Sequence, residues 1–128
     1  MNILVIDDDR AYISLIGRAF DRLGGHSTVL AVDSASGLEM IGDTPPDLLI
    51  LDWLMPRMSG VDILMELERR PRSRRPGYVV MITAAPDIDL LRAIALEIGA
   101  DEVVSKPLTE PMVAELAERA RAGLALQA

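Results

Sequence analysis

Apolar residues fall into two alternating patterns along this chain. Short continuous apolar runs are typical of strands buried on both faces, whereas apolar residues that recur every three or four positions predict helices with one buried face. The runs occupy residues 2–6, 27–32, 48–51, 78–82 and 102–104. The helical patterns occupy residues 10–23, 35–42, 87–98 and two segments that begin after the capping residues Ser59 and Thr109. Strand and helix therefore alternate five times.

This alternation predicts the fold class, an α/β (βα)5 domain with a doubly wound, parallel five-stranded sheet and right-handed crossovers. The length of 128 residues suits a single domain. The last helical pattern fades near residue 123. We therefore expect one domain over residues 1–123 and a C-terminal tail over residues 124–128.

Chemically competent side chains follow four of the five predicted strands. The carboxylates Asp7 and Asp8 follow the first strand, Asp52 the third, Thr83 the fourth and Lys106 the fifth. Because the carboxyl ends of parallel strands lie at one edge of the sheet, we expect these side chains to converge there. An aspartate after a strand is commonly a turn or helix cap. The other residues expected at the same edge favour a functional site instead.

Three carboxylates at one edge predict a bound cation. Two carboxylates about 4 Å apart repel each other by roughly 4 kcal/mol at an effective dielectric of 20. Their ordinary pKa of about 3.9 keeps them charged at neutral pH. Oxygen ligands favour Mg²⁺, Mn²⁺ or Ca²⁺ over Zn²⁺. The chain has no cysteine, and we expect its single histidine, His26, at the surface and far from these strand ends.

Thr83 and Lys106, expected at the same edge, indicate the chemistry in which such a cation would take part. Mg²⁺ with a lysine and a threonine is a typical set for handling a phosphoryl group. Lys106 is the only lysine, while the other 12 basic residues are arginines. This bias is either chance or a requirement for a compact ammonium rather than a planar guanidinium. Asp52, alone on the central strand, is the candidate nucleophile for an aspartyl-phosphate, and Asp7 and Asp8 suit metal binding.

Composition excludes several other functions. A net charge of −7 argues against broad binding to nucleic acid or to anionic membranes, which need a basic surface. No apolar run approaches the roughly 20 residues of a membrane helix, and the N-terminus does not resemble a signal peptide. We therefore expect a soluble, cytoplasmic domain. Five arginines lie within residues 69–75, and their flanking prolines predict a solvated loop over a phosphate-binding patch.

Taken together, the motifs resemble the receiver domain of bacterial two-component response regulators. The resemblance covers residues 2–123 and implies a flavodoxin-like fold with strand order 2-1-3-4-5. The residues that carry it are Asp7-Asp8, Asp52, Met55-Pro56, Ser59-Gly60, Thr83 and Lys106-Pro107. Each motif is common by itself, and their order at successive strand ends is what makes the resemblance specific.

The resemblance implies a signalling domain rather than an enzyme, one that catalyses only its own phosphorylation and dephosphorylation. Asp52 would accept a phosphoryl group from a phosphohistidine of a sensor histidine kinase or of a histidine phosphotransfer protein. Mg²⁺, or Mn²⁺ in its place, would bind to Asp8, to Asp7 largely through water, to Asp52 and to the backbone carbonyl of Leu54.

The resemblance also assigns roles to the remaining site residues. Thr83 and Lys106 would contact the phosphoryl group, and Pro107 would follow a cis peptide bond. Two features depart from the family pattern. Val103 stands where the family usually has a tyrosine or phenylalanine that reports the state of Thr83. Leu54 and Ala85 stand at variable positions where polar side chains can orient a hydrolytic water.

These departures leave other functions open. A receiver-like interaction module that works without phosphorylation would be compatible with Val103. An aspartyl-phosphate phosphatase is a third reading, but those enzymes typically place a second aspartate two residues after the nucleophile. Here Leu54 occupies that position.

The helix predicted over residues 87–98 is the candidate output surface. It has eight apolar residues in twelve, more than one buried face requires. At about 100° per residue, the inner face holds Ile88, Leu91, Ile94, Ala95 and Ile98. We expect Leu90 and Leu96, on the outer side, to contact an output protein or a second copy of the chain. No direct contact with nucleic acid or membrane is expected.

Overall fold

Five parallel strands form the sheet that the alternating pattern predicts. The computed structural model describes residues 1–127. The strands pair in the order β2-β1-β3-β4-β5, which confirms the flavodoxin-like topology. Their bounds are β1 (Asn2–Ile6), β2 (Ser27–Ala31), β3 (Leu48–Asp52), β4 (Tyr78–Thr83) and β5 (Glu102–Ser105).

Within residues 1–127, five α-helices connect or follow these strands. Their bounds are α1 (Arg10–Leu23), α2 (Ser34–Ile41), α3 (Gly60–Glu68), α4 (Ile88–Ile98) and α5 (Glu110–Gln127). Side chains of Asp9, Asp33 and Ser59 accept hydrogen bonds from backbone N–H groups in the first turns of α1, α2 and α3. These caps satisfy donors that have no partner inside a helix, which is why the helices begin there.

The sheet separates two apolar cores. Strand β3 is the central strand, and Leu48, Leu49, Ile50 and Leu51 are all buried. Because side chains alternate along a strand, Leu48 and Ile50 pack toward α1 and α5, while Leu49 and Leu51 pack on the other face toward α2, α3 and α4. Burial on both faces explains why this segment is a continuous apolar run.

The last helix is longer than the sequence pattern predicts. Helix α5 continues to Gln127, so residues 124–127 are helical rather than part of a tail. Gln127 Nε2 donates a hydrogen bond to the Gly77 carbonyl oxygen at 2.6 Å. A Cβ atom at Gly123 would lie 2.7 Å from the Tyr78 ring, so this glycine permits close packing against β4. These contacts, rather than a sequence signal, extend the helix.

One expectation about burial was wrong. Ile94 was expected on the inner face of α4, but it is 39% exposed, and Ala95 is the one residue of the helix that is fully buried. His26 is partly exposed, which agrees with the surface position expected for it. Its Nδ1 lies 3.2 Å from the amino group of Met1, and its ring packs edge-on against Phe20. Burial and that amino group lower the pKa of His26.

The arginine-rich segment forms a surface loop, as predicted. It contains a single 3₁₀ turn at Arg72–Arg74. Arg69 pairs with Glu66 at 3.2 Å, and Arg75 pairs with Glu68 at 3.3 Å. The positive charge of this loop is therefore partly compensated by helix α3 itself. Within the described residues, no helix combines the length and apolarity needed to cross a membrane.

Candidate functional site

The carboxyl ends of β1, β3, β4 and β5 open into one cavity of about 370 Å³. Parallel pairing sets Ile6 beside Leu51, Asp52 beside Ile82, and Thr83 beside Ser105, so the side chains after these strands reach the same edge. The cavity is lined by Asp7, Asp8, Asp9, Asp52, Leu54, Thr83, Ala84 and Lys106. Every site residue that the sequence places at the strand ends therefore lines it.

Three carboxylates meet in this cavity. Asp7, Asp8 and Asp52 each offer an oxygen, and these oxygens lie within 4.8 Å of one another. Asp7 is fully buried and Asp52 is 4% exposed, whereas Asp8 is exposed at the mouth. Asp7 is held from both sides, because its N–H donates to the Ala31 carbonyl and its Oδ1 accepts from the Asp9 N–H at 3.0 Å.

The ammonium of Lys106 lies between the two buried carboxylates. Its Nζ is 2.7 Å from Asp7 Oδ2 and 3.1 Å from Asp52 Oδ1. The Lys106 N–H donates to the Thr83 carbonyl at 2.8 Å, and the peptide bond to Pro107 is cis. Burial by itself would lower the pKa of Lys106, but the hydrogen bond to Asp7 and the charge of Asp52 raise it above the usual value.

The environment of Asp52 raises the pKa of its carboxyl group. Burial, followed by the charge of Asp7, raises its pKa to about 6, and Lys106 opposes this rise. A carboxylate is a nucleophile only when ionised, so Lys106 and any bound cation favour the reactive form.

Thr83 and Leu54 also line the cavity. Thr83 is buried, and its Oγ1 accepts a hydrogen bond from the Ala85 N–H at 3.0 Å. The hydroxyl proton therefore remains available for a ligand oxygen. Leu54 is exposed at the mouth of the cavity and offers an apolar side chain there. Neither Leu54 nor Ala85 can orient a water molecule through its side chain.

The donor set fits a magnesium ion. Asp7 Oδ2 is buried, and Lys106 Nζ lies 2.7 Å from it. Three carboxylates that share one ammonium still carry excess negative charge, and their clustered oxygens are a favourable position for a hard divalent cation. The ligands available here are oxygens, which matches Mg²⁺ or Mn²⁺ rather than Zn²⁺.

Tyr12 belongs to the site, although the sequence pattern did not identify it. Its ring centroid lies 4.8 Å from Lys106 Nζ, and its hydroxyl accepts a hydrogen bond from the Leu108 N–H at 3.0 Å. Burial raises the pKa of Tyr12. Its position in the first turn of α1, directly after the acidic residues, was the signal that could have revealed it.

Val103 is a fixed part of the core rather than a mobile reporter. It is buried among the residues on the α2, α3 and α4 side of the sheet. Its backbone carbonyl accepts a hydrogen bond from Arg92 Nη2 of α4 at 3.3 Å. A buried valine has no alternative exposed rotamer of the kind that an aromatic side chain offers at this position.

Comparison with known proteins establishes the family. The model of the response regulator receiver domain matches residues 3–118, so this chain belongs to the response regulator receiver family, a signalling family. Response regulator MprA from Mycobacterium avium is 36% identical over 122 residues, which cover 95% of this chain and 50% of the relative. The chain thus spans about half the length of this relative.

Solved receiver structures show the same fold. The receiver domain of NtrX from Brucella abortus superposes with a TM-score of 0.79 at 31% identity, covering 92% of this chain and 96% of that one. The receiver domain of Francisella response regulator 1452 gives a TM-score of 0.82 at 25% identity, covering 99% and 98%. Both comparisons extend over nearly the whole (βα)5 domain.

The pKa of Asp52 predicts a pH-dependent stability change on removing its charge. We expect Asp52→Asn to raise the free energy of unfolding at pH 8, without divalent cations, by about 2 kcal/mol. The folded-state pKa of about 6 lies above the ordinary 3.8, so ionisation opposes folding above pH 6. The gain should shrink as the pH falls through 6 and should vanish below 4.

Urea denaturation in EDTA at several pH values would measure this change. Asp89→Asn is a suitable control, because the Asp89 side chain is exposed on α4 and outside the cavity. A gain that does not depend on pH would contradict the assignment of the effect to Asp52 ionisation.

Proposed function

We propose that this receiver domain accepts a phosphoryl group on Asp52. The donor would be a phosphohistidine of a sensor histidine kinase or of a histidine phosphotransfer protein, and the reaction would require Mg²⁺, or Mn²⁺ in its place. The observation that carries this proposal is the placement of Asp52. Its buried carboxylate lies 3.1 Å from Lys106 Nζ, in a cavity that Asp7 and Asp8 also line. We place the reaction in the cytoplasm.

Asp7, Asp8, Asp52 and the Leu54 backbone carbonyl would hold the cation, which supplies positive charge for the oxygens of the transferring group. An Asp52 oxygen forms a bond to phosphorus while the bond from phosphorus to the donor nitrogen breaks. The electron pair of that bond remains on the donor imidazole. No other covalent bond of this chain changes.

Lys106 and Thr83 stabilise the charge that moves into the cavity. The Lys106 ammonium already pairs with two carboxylates, and the arriving phosphoryl oxygens give it a stronger partner. The Thr83 hydroxyl donates a hydrogen bond to a phosphoryl oxygen from the β4 side. These contacts form fully only after the phosphoryl group arrives, so they favour the transition state and product over the free site.

A phosphorylation-independent interaction module is the alternative, and the buried Val103 supports it. A receiver without a mobile aromatic residue lacks one route by which Thr83 could signal to the surface. The two functions can be distinguished by experiment, because only the phosphoryl-accepting receiver requires a reaction at Asp52.

Phosphoryl labelling tests the proposal directly. Incubation with Mg²⁺ and acetyl phosphate should add one phosphoryl group per chain, detected by intact-protein mass, and Asp52→Asn should abolish the label. EDTA should prevent labelling of the unmodified chain, because the three carboxylates then lack their cation. The control Asp43→Asn, at an exposed carboxylate outside the cavity, should label normally.

Label that persists in Asp52→Asn would show a different acceptor. A wild-type chain that takes no label from acetyl phosphate, a cognate kinase or a phosphotransfer protein would favour the phosphorylation-independent alternative.

We also propose that the outer face of α4 binds an output protein or a second copy of the chain. Leu90 is 56% exposed and Leu96 is 44% exposed, and the exposed Ile94 adds apolar area beside Leu90. At 100° per residue Leu90 and Leu96 lie on either side of Ala93, opposite the buried Ala95. Contiguous exposed apolar side chains are typical of protein contacts.

The double substitution Leu90→Ser with Leu96→Ser should weaken this contact by at least tenfold, because apolar burial is lost at two positions. Phosphoryl labelling at Asp52 should be retained. Sedimentation of the labelled protein and titration with an output partner would measure the contact. Leu15→Ser, at an exposed leucine of α1, is the matched control. Unchanged association in both measurements would place the contact elsewhere.

A further inference from the structure

Tyr12 joins two parts of the site that are far apart in sequence. It lies in the first turn of α1, and its hydroxyl reaches the Leu108 N–H across 96 positions of the chain. The same side chain places its ring centroid 4.8 Å from Lys106 Nζ. One residue therefore contacts both the ammonium of the site and the loop that carries it.

The loop between β5 and α5 has few other backbone anchors near the lysine. The Lys106 N–H is bound to the Thr83 carbonyl, and Pro107 has no N–H to donate. The Leu108 N–H is bound to the Tyr12 hydroxyl. Tyr12 therefore fixes the far side of the segment from which the Lys106 side chain extends.

The Tyr12 ring limits the positions of the Lys106 ammonium differently from the carboxylates. Two carboxylates attract Lys106 Nζ, but a phosphoryl group at Asp52 would draw it to a new position. The aromatic face attracts a cation without fixing one hydrogen-bond direction, so it supports both positions. It also covers one side of the ammonium, which leaves the lysine side chain only 18% exposed.

A purely structural role for Tyr12 makes a different prediction. The half-buried Tyr12 packs against the α1 and α5 side of the core, and a leucine could fill much of that space. A leucine, however, provides neither an aromatic face for Lys106 nor an acceptor for the Leu108 N–H. The consequences of these two losses can be measured separately.

We infer that Tyr12 is a positioning residue for phosphoryl transfer, holding the Lys106 ammonium over Asp52 with its ring and fixing the Lys106 loop with its hydroxyl. The expected effect on the rate of phosphoryl transfer rests on the proposed function. The contacts of Tyr12 with Lys106 and Leu108 do not depend on it. Tyr12 acts through Lys106 and takes no part in bond making or breaking.

The single lysine allows the contact to be tested without any phosphorylation. In protein labelled with ¹³C-lysine, one set of side-chain signals reports Lys106. Ring currents from Tyr12 should move its ε-methylene protons upfield of an ordinary lysine. Tyr12→Leu should remove that displacement and Tyr12→Phe should retain it. Identical lysine spectra for the wild-type chain and Tyr12→Leu would overturn the inference, whether or not the chain accepts a phosphoryl group.

Kinetics of labelling then test the role. With acetyl phosphate and saturating Mg²⁺, Tyr12→Leu should lower the maximal labelling rate about tenfold, with little change in the half-saturating donor concentration. Tyr12→Phe should recover most of the rate, to within about threefold of wild type, because it keeps the ring. Tyr78→Phe, at the other tyrosine and outside the cavity, should match the wild type.

A double-substitution comparison distinguishes positioning from general damage. If Tyr12 acts through Lys106, Tyr12→Leu should change the residual rate of Lys106→Ala by less than about twofold. An equal tenfold loss in both backgrounds would overturn the inference, as would a wild-type rate in Tyr12→Leu. A wild-type chain that takes no label would instead refute the proposed function, and the lysine spectra would still decide the contact.

Discussion

Replacing Lys106 by alanine lowers the free energy of unfolding at pH 7.5 by about 3 kcal/mol when divalent cations are absent. The substitution removes the one ammonium that lies within 3.1 Å of the buried Asp7 and Asp52 carboxylates. Two buried carboxylates without a cation must either repel each other or bind a proton. Urea denaturation in EDTA measures this loss.

Conditions that supply positive charge should reduce the loss. Millimolar Mg²⁺ should restore part of the stability of Lys106→Ala, because the cation replaces the missing ammonium. A lower pH should do the same, because Lys106 no longer opposes the rise in the pKa of Asp52, and protonation of this carboxylate decreases the repulsion. Adding Asp52→Asn to Lys106→Ala should also recover stability, because one of the two carboxylates is removed.

The partly exposed pair formed by Arg119 and Glu102 provides the control. Its N–O distance of 2.8 Å is comparable, but Arg119 is half exposed, so Arg119→Ala should cost less than about 1 kcal/mol. If Lys106→Ala were no more destabilising than Arg119→Ala, the interaction of Lys106 with the buried carboxylates would not contribute to stability.

Replacing Gly60 by alanine destabilises the fold by about 3 kcal/mol and also impairs the site. Gly60 is the first residue of α3, and a Cβ atom there would overlap the backbone carbonyl oxygen of Asp52. It would also lie 2.9 Å from Met81 Cε, which can move, whereas the Asp52 carbonyl belongs to the central strand. Relief of this overlap requires α3 to separate from β3.

Gly17→Ala is the matched control for this substitution. Gly17 lies inside α1, and a Cβ atom there would meet the Leu30 side chain at 3.5 Å, an ordinary contact distance. Alanine is the better helix former, so Gly17→Ala should stabilise the protein by about 0.5–1 kcal/mol. Thermal unfolding of both variants separates steric overlap from helix propensity. Equal effects at the two glycines would contradict the steric explanation.

The sequence determined the order and class of the elements because that information is local. Apolar runs of strand length and apolar spacings of helix length predicted all five strands and all five helices. It also located the cavity residues, since a parallel sheet brings the carboxyl ends of its strands to one edge. Asp7, Asp52, Thr83 and Lys106 needed no tertiary contact to be identified as neighbours.

The strand order came from the family resemblance and not from periodicity. Periodicity identifies the strands, but the length of the connection between two strands does not say which strands become neighbours in the sheet. The tertiary structure then decided whatever depends on contacts between distant segments. The end of α5 depends on Gly77 and Tyr78, and the partial burial of His26 depends on Met1. The exposure of Ile94 depends on how α4 is rotated about its axis against the sheet. The spacing of apolar residues predicts this rotation only to within the angle between successive residues, about 100°.

Tyr12 is the clearest example of what only the tertiary structure decided. In the sequence it is one position away from the buried face of α1 and 94 positions before Lys106. Its ring reaches the lysine because α1 packs beside β1 and α5, which brings the start of α1 to the loop after β5. A helical pattern specifies which side of a helix is apolar. A residue such as Tyr12 lies at the edge of that apolar side. The packing of neighbouring elements decides which side chain it contacts, and this packing exists only in the folded protein.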